Sequence, residues 1–306
     1  MKATLEEVEV FLAVVDTGSL TSAAEHLGQP VSTTSRLLAR LEDKLQTTLL
    51  QRTTRRLHLT DEGCGYAKDA RRILESVRIA EDRLMERRGR ASGPLHVDAA
   101  SPFMLHVLAP LMPGYRAQHP EVELVLHSNE GFIDLLERRV DLAIRIGELK
   151  DSTLHSRLLG HTRVRLVASP RYLTRQGVPE DAEALRRHET IGFTQPETLN
   201  VWPVLAGNGE PLHIDPTLMA CNGETIRELA INGMGIACLS DFMTAQDIAE
   251  GRLVQVLPQV TILKTKPVNA VYYKQSAVSG RIASMVGYLA EAMRAPEALW
   301  AAERGH

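Results

Sequence analysis

The sequence predicts an α/β chain in three parts: a small helical head ending in a β-wing, a long linker helix, and a two-lobed α/β domain. Three observations carry this reading. The 306 residues suit roughly two domains of about 150 residues each. Apolar residues recur at helical spacing through the first ninety residues, and from residue 95 the texture changes to strands alternating with helices. Hydrophobic residues at 44% and charged residues at 24% are ordinary for a globular chain, and 21 Gly with 15 Pro exclude a collagen-like or low-complexity one.

Residues 5–16 place Leu5, Val8, Phe11, Leu12 and Val15 on one helical face, and Gly18 stops the helix. A second, short helix follows, capped by Ser19 or Thr21, with Leu20, Ala23, Ala24 and Leu27 inward and Gly28 at its end. After the turn at Gln29-Pro30, residues 31–45 form a third helix with Leu37, Leu38, Leu41 and Leu45 as its buried stripe and a small, polar first turn. This is a helix-turn-helix. The start of its second helix must be short enough to enter a major groove and must carry hydrogen-bonding groups. Val31, Ser32, Thr33, Ser35 and Arg36 meet that demand, with Thr21 on the supporting helix. Two strands, Leu49 to Thr53 and Leu57 to Leu59, then flank a basic wing tip, Thr54-Arg55-Arg56.

The formal charge of −3 and a pI near 6.4 taken alone point away from nucleic acid. The local balance differs. Between residues 30 and 60, Arg36, Arg40, Lys44, Arg52, Arg55 and Arg56 oppose only Glu42 and Asp43, a net +4 that leaves −7 for the rest of the chain. Arg36 suits a base edge or a phosphate, Arg55 and Arg56 suit phosphate or minor-groove contacts, and Arg40 lies one turn on, facing solvent. From Thr60 a polar helix runs to about Arg88, with Tyr66, Ala70, Ile73, Val77, Ala80 and Leu84 at alternating steps of four and three. That stripe serves dimerisation or packs on its own domain.

The run SLTSAAEHL, followed by Ser35-Arg36, Leu41-Glu42, Leu49-Leu50, Arg52-Thr53 and Leu59-Thr60-Asp61-Glu62-Gly63, closely resembles the N-terminal signature of LysR-type transcriptional regulators. The resemblance implies base contacts from the start of the third helix and from Arg52 and Thr53 on the wing. It also implies a linker helix that pairs two chains, and a homo-oligomer beyond the dimer. Thr34 stands where an aliphatic residue is usual, and Val31-Ser32 where Gln-Pro is frequent, so base preference does not transfer.

After the hinge GRASGP at 89–94, LHVDAA, VELVLH and DLAIRIG read as strands, separated by helices at 102–118 and 131–138. A second set begins near Arg163 with VRLVASP. It continues with helices near 170–176, 181–187 and 223–232 and strands TLMAC and GIACL. VNAVYYK and a helix at 278–294 return the chain to the first lobe. Gly233-Met234-Gly235 reads as a helix end, not a nucleotide loop. Two lobes joined by two crossing strands resemble the type 2 periplasmic-binding-protein-like fold that the family uses as effector domain. The expected divisions are 1–60 for the head, 61–90 for the linker and 91–306 for the effector domain. Within the last, lobe I takes about 95–162 and 269–306, and lobe II about 163–268.

In such a fold a ligand lies outside the carboxyl ends of the strands, where helix N-termini offer free N–H groups. Ser101-Pro102, Gly131-Phe132 and Asn222-Gly223-Glu224 open the three candidate helices. Arg145 and Gly147 end the third strand at the mouth, Arg145 as counter-ion for an anionic effector. Phe193, Thr194 and Trp202 are candidates from the second lobe. Ser101 also fits a plain helix cap.

No GxSxG, HExxH or P-loop pattern supports an enzyme, and eleven histidines show no metal spacing. Cys64, Cys221 and Cys238 are isolated, so neither a cofactor, a metal nor a disulfide is expected. Acidic residues at 6, 7 and 9 interrupt any secretory signal, and no apolar run suits a membrane span; the expectation is a cytoplasmic protein without membrane contact. The expected partners are double-stranded operator DNA, a small-molecule effector, further copies of the chain and RNA polymerase. The competing reading is a sensor of the same α/β fold that binds solute without reading an operator.

Overall fold

The computed structural model describes residues 3–52, 57–86, 91–131, 135, 140–149, 154–207, 209–262, 265–273 and 279–294, with backbone alone at 52, 75, 78, 79 and 81–86. It separates into two compact units, residues 3–86 with Leu135, and the other described residues of 91–294.

In the first unit α1 (Leu5–Thr17), α2 (Leu20–His26) and α3 (Val31–Leu45) precede a two-stranded wing, β1 (Leu50–Arg52) and β2 (Leu57–Leu59), and then α4 (Asp61–Glu86). Thr4 and Glu7 form a reciprocal capping box that starts α1, and Gly18 ends it at φ 66°. Ser19, not Thr21, caps α2, accepting from the Ser22 N–H. The apolar stripes of α1 and α3 meet in a core around Phe11, Leu38, Leu41 and Leu49. Phe11 also packs on Tyr66 of α4, with ring centroids 5.4 Å apart.

The wing is fixed by two residues of the family signature. Glu42 accepts from the Leu49 and Leu50 N–H groups at 2.7 and 3.0 Å, satisfying donors that no strand reaches. Thr60 donates to the Thr48 and Leu49 carbonyls and accepts from the Gly63 N–H, so it turns the wing into α4. A Cβ at Gly63 would overlap the Leu49 carbonyl, which is why only glycine closes the Leu-Thr-x-x-Gly turn.

The second unit is built on one mixed sheet. Its strands are β3 (Gly93–Ala99), β4 (Val122–Ser128), β5 (Leu142–Ile146), β6 (Leu154–Ala168), β7 (Thr190–Phe193), β10 (Leu218–Ala220), β11 (Ile236–Ser240), the short β12 (Val254–Gln255) and β13 (Thr265–Tyr273). The order runs β10-β7-β11-β6-β13-β5-β3-β4, with β12 beside β6. β3, β4 and β5 are parallel, as are β7, β10 and β11, and the antiparallel pair β6 and β13 joins the two sets. The expected strand near Arg163 is thus the second half of a 15-residue strand that already starts at Leu154. A hairpin of β8 (Val201–Leu205) and β9 (Pro211–His213) was not foreseen from the sequence.

The first helix of this unit runs from Ser101 to Gln118, as α5 (Ser101–Phe103), a π-helical turn (Met104–Leu108) and α6 (Ala109–Gln118). Pro110 supplies the cause: its ring would strike the carbonyl four residues back, and widening the turn relieves the clash, the Ala109 N–H reaching instead to Met104. Then come α7 (Pro170–Gln176), α8 (Ala182–Leu185), α9 (Gly223–Ile231), α10 (Asp241–Ala249), which the sequence did not announce, and α11 (Gly280–Ala292). The helix expected at 131–138 lies outside the described residues apart from Gly131 and Leu135.

Candidate nucleic-acid interface and interlobe cleft

Pro30 opens α3 without a side-chain cap, its carbonyl accepting from the Thr33 and Thr34 N–H groups at 3.0 and 3.1 Å. Val31, Ser32 and Arg36 are exposed, Thr33 and Ser35 half-buried, and Thr21 exposed on α2. Thr34, by contrast, is fully buried; its hydroxyl accepts from Gln29 Nε2 at 3.1 Å and donates to the Pro30 carbonyl. The polar residue at this usually aliphatic position therefore pins the turn of the helix-turn-helix. Among the described residues Arg36 makes no ion pair.

Arg40 faces solvent as expected, yet it and Lys44 also meet Glu7 of α1. Glu7, inaccessible to solvent, accepts from Lys44 Nζ at 2.7 and 2.8 Å, and Arg40 Nε stands 3.2 Å away. Arg40 thus belongs to a clamp that holds α1 on α3, although its side chain stays 63% exposed. Burial pushes the Glu7 carboxyl up, but the Lys44 and Thr4 hydrogen bonds outweigh it and hold the group below its ordinary value. Arg52 belongs to β1, with its side chain undescribed, and Thr53, Arg55 and Arg56 lie outside the described residues.

Along α4 the expected stripe divides. Tyr66 and Ala70 pack against the core of the head, while Ile73 is 45% exposed and lines a shallow groove with Arg72, Ser76, Val77 and Ala80. The side chain of Leu84 is undescribed. Arg71 pairs with Asp16 and ties α4 to α1.

In the second unit α5 and α9 meet between the two strand sets, and with them Pro102, Gly223 and Glu224 of the candidate effector residues. Pro102 meets Gly223 directly: a Cβ at Gly223 would stand 3.1 Å from Pro102 and 2.9 Å from Met243. Phe103 packs edge-on against Phe242 at 5.5 Å, and His106 Nε2 lies 2.7 Å from Glu224. Glu224 therefore serves a seam between the lobes, which the sequence did not reveal because His106 is 118 residues away. The Ser101 N–H donates to Glu130 at 3.2 Å, next to exposed Gly131, whereas Phe132 lies outside the described residues. Asn222 caps α9 through the Thr225 N–H, and the Thr194 N–H donates to the Ala220 carbonyl two residues before that cap. Phe193 is fixed by Asn200, whose side chain binds its N–H and its carbonyl at 2.8 and 2.9 Å. Gly147, at φ 101°, donates to the Pro267 carbonyl where two strands meet.

One candidate is corrected, and a second has a partner already. Trp202 is 1% exposed inside the lobe II core beside Leu166, Tyr172 and Leu212, because β8 turns its indole inward, away from the cleft. Arg145 already has a carboxylate: its Nη1 lies 2.8 Å from fully buried Asp98, which Asn129 also contacts. The Arg145 Nη2, by contrast, is buried with no hydrogen-bond partner among the described residues.

Burial pushes the Cys238 thiol up to about 12, so it stays protonated and unreactive, while Cys64 and Cys221 are exposed. Among the described residues no three metal-ligating side chains gather, and no helix is long and apolar enough to cross a membrane.

A helix-turn-helix with a wing, followed by a two-lobed α/β ligand domain, defines a DNA-binding regulator that answers to a small molecule. Residues 5–64 match the bacterial regulatory helix-turn-helix protein, lysR family, and residues 88–294 match the LysR substrate binding domain. The chain belongs to the LysR family of transcriptional regulators. It is 46% identical over 291 residues to the HTH-type transcriptional regulator CrgA of Neisseria meningitidis serogroup C, covering 95% of this chain and 97% of that one. PtxR of Pseudomonas aeruginosa is 35% identical, covering 83% and 82%. Among solved structures, CrgA of Neisseria meningitidis superposes with a TM-score of 0.66 at 45% identity, over 95% of this chain and 99% of that chain. Full-length AphB of Vibrio cholerae gives 0.61 at 27% identity, over 94% and 98%. The protein is thus a regulator with a DNA-binding head and an effector-binding domain, and not an enzyme.

Proposed function

We propose that the protein reads its operator with the first two turns of α3, and that an effector held where α5 and α9 begin alters how two paired heads meet DNA. The carrying observation is the exposure of Val31, Ser32 and Arg36 along the first two turns of α3. Val31, Thr33, Ser35 and Thr21 would line the same groove face, with Arg52, Thr53, Arg55 and Arg56 on the wing. The half-bare stripe of α4 supports pairing of two chains through Ile73 and Val77. Assembly beyond the dimer, contact with RNA polymerase and a cytoplasmic location complete this reading. Its working divisions are 1–60, 61–90 and 91–306.

For the effector, Ser101, Pro102, Gly131, Phe132, Gly147, Phe193, Thr194, Asn222 and Gly223 form the proposed lining, with Glu224 in the adjoining seam. Two helix starts facing one cleft favour an anion. The test is a fluorescence-anisotropy titration of promoter fragments with and without effector. Ser101→Ala should keep DNA affinity and lose the effector response, and an unchanged response would move the pocket elsewhere. Binding that ignores salt, or no binding to fragments beside the protein's own coding region, would refute operator reading.

A further inference from the structure

We propose that a second anion site lies behind the hinge of the effector domain, in the crevice bounded by β6, the start of α10 and the end of α11, and that it takes a small anion carrying two or more negative charges. The crevice has a volume of about 530 Å³, within the range of small-molecule sites. It is separate from the cleft at Ser101 and Asn222, since none of the residues proposed for that cleft lines it.

Its walls are cationic by construction. A bulge in β6 at Leu159 lets Gly160 and Leu158 face successive β13 residues, Val268 and Asn269. Strand alternation on either side of the bulge then turns His161, Arg163 and Arg165 to one side, and Arg294 enters from the end of α11. Three guanidiniums thus face one carboxylate, Asp241, which is 4% exposed. Asp241 is largely occupied already. It accepts from the Thr162 hydroxyl and from the Arg163 and Phe242 N–H groups at 3.2 and 2.9 Å, and the Arg165 charge nearby favours its ionised form. Among the described residues neither Arg163 nor Arg294 has a carboxylate within ion-pair distance. Like charges gathered around a partly enclosed cavity repel unless an anion bridges them, and guanidinium forks match carboxylate and phosphate geometry alike. Because Arg163 sits on the crossing strand and Arg294 just beyond the end of α11, an anion there would tie the hinge to the last helix among the described residues.

The test is isothermal titration calorimetry of the full chain with citrate and with inorganic phosphate, at matched ionic strength and with acetate as the monovalent control. The expected result is binding of citrate, phosphate or both, with no acetate binding; which of the two binds tighter assigns the anion to polycarboxylates or to phosphates. The R163Q/R294Q double variant should lose at least tenfold in affinity while keeping its unliganded DNA binding, which reports folding. Ser101→Ala should bind as the unaltered chain does, separating this site from the proposed effector cleft, and so should Arg36→Ala, separating it from the DNA face. Failure of both polyanions to bind, undiminished affinity in the double variant, or a loss caused by Ser101→Ala or Arg36→Ala would overturn the proposal.

Discussion

At the scale of single residues, the head is held by groups whose chemistry is local but whose partners are distant. Glu7 caps its own helix and receives Lys44 and Arg40 from α3. Glu7→Gln should cost about 2 kcal/mol, between the values for exposed and buried ion pairs, since Arg40 remains largely in water. The sign with pH follows from the lowered carboxyl. Its stabilisation is present above the ordinary glutamate range and is lost as pH falls through the depressed value. Denaturant unfolding should therefore separate the two proteins clearly at about pH 7, and the separation should shrink as pH falls below the ordinary glutamate range. Gly63→Ala forces a methyl group into the Leu49 carbonyl, and thermal melts should show a loss of about 3 kcal/mol. For DNA, Arg36→Ala should lower the slope of log affinity against log salt by about 1 if Arg36 meets phosphate, or relax discrimination between operators if it meets a base. Arg40→Ala should lower the melting temperature and leave the salt slope unchanged, because its guanidinium is engaged by Glu7.

At the scale of elements, α4 shows one stripe with two uses. Its first turns are anchored by Tyr66 and Ala70, whereas the next turns present Ile73 and Val77 to solvent or to a partner. Ile73→Asp with Val77→Asp should yield monomers in sedimentation velocity without unfolding the head, and a persisting oligomer would place the pairing surface elsewhere. The helix beginning at Ser101 was legible from its length and its Ser-Pro start, yet its π turn was not, because the relief of a proline clash depends on backbone outside the local pattern. α10 escaped notice for a related reason. Its segment buries Phe242, Met243, Thr244 and Asp247 together, so no clean polar face marks it as a helix.

At the scale of the whole molecule, the net charge of −3 is a sum over unlike parts, and the structure refines which parts matter. Of the six cations in the basic stretch, Lys44 and Arg40 pair with Glu7 of α1, whereas Arg36 is exposed with no ion pair among the described residues. The sequence by itself determined the family, the helix-turn-helix, the wing strands and the two-lobed ligand domain. Each rests on local spacing: apolar periodicity, caps, turn glycines and a dense run of signature residues. Only the tertiary structure decided which candidate side chains share a site. Trp202 went to a core and Arg145 to Asp98, while Pro102 and Phe103 met Gly223 and Phe242 across more than a hundred residues of chain. The physical reason is that strand alternation gives each side chain one of two faces, whereas what covers a face depends on strands and helices far away in sequence. Chemistry that one element carries alone can be read in order along the chain, and chemistry that needs two elements exists only once they have packed.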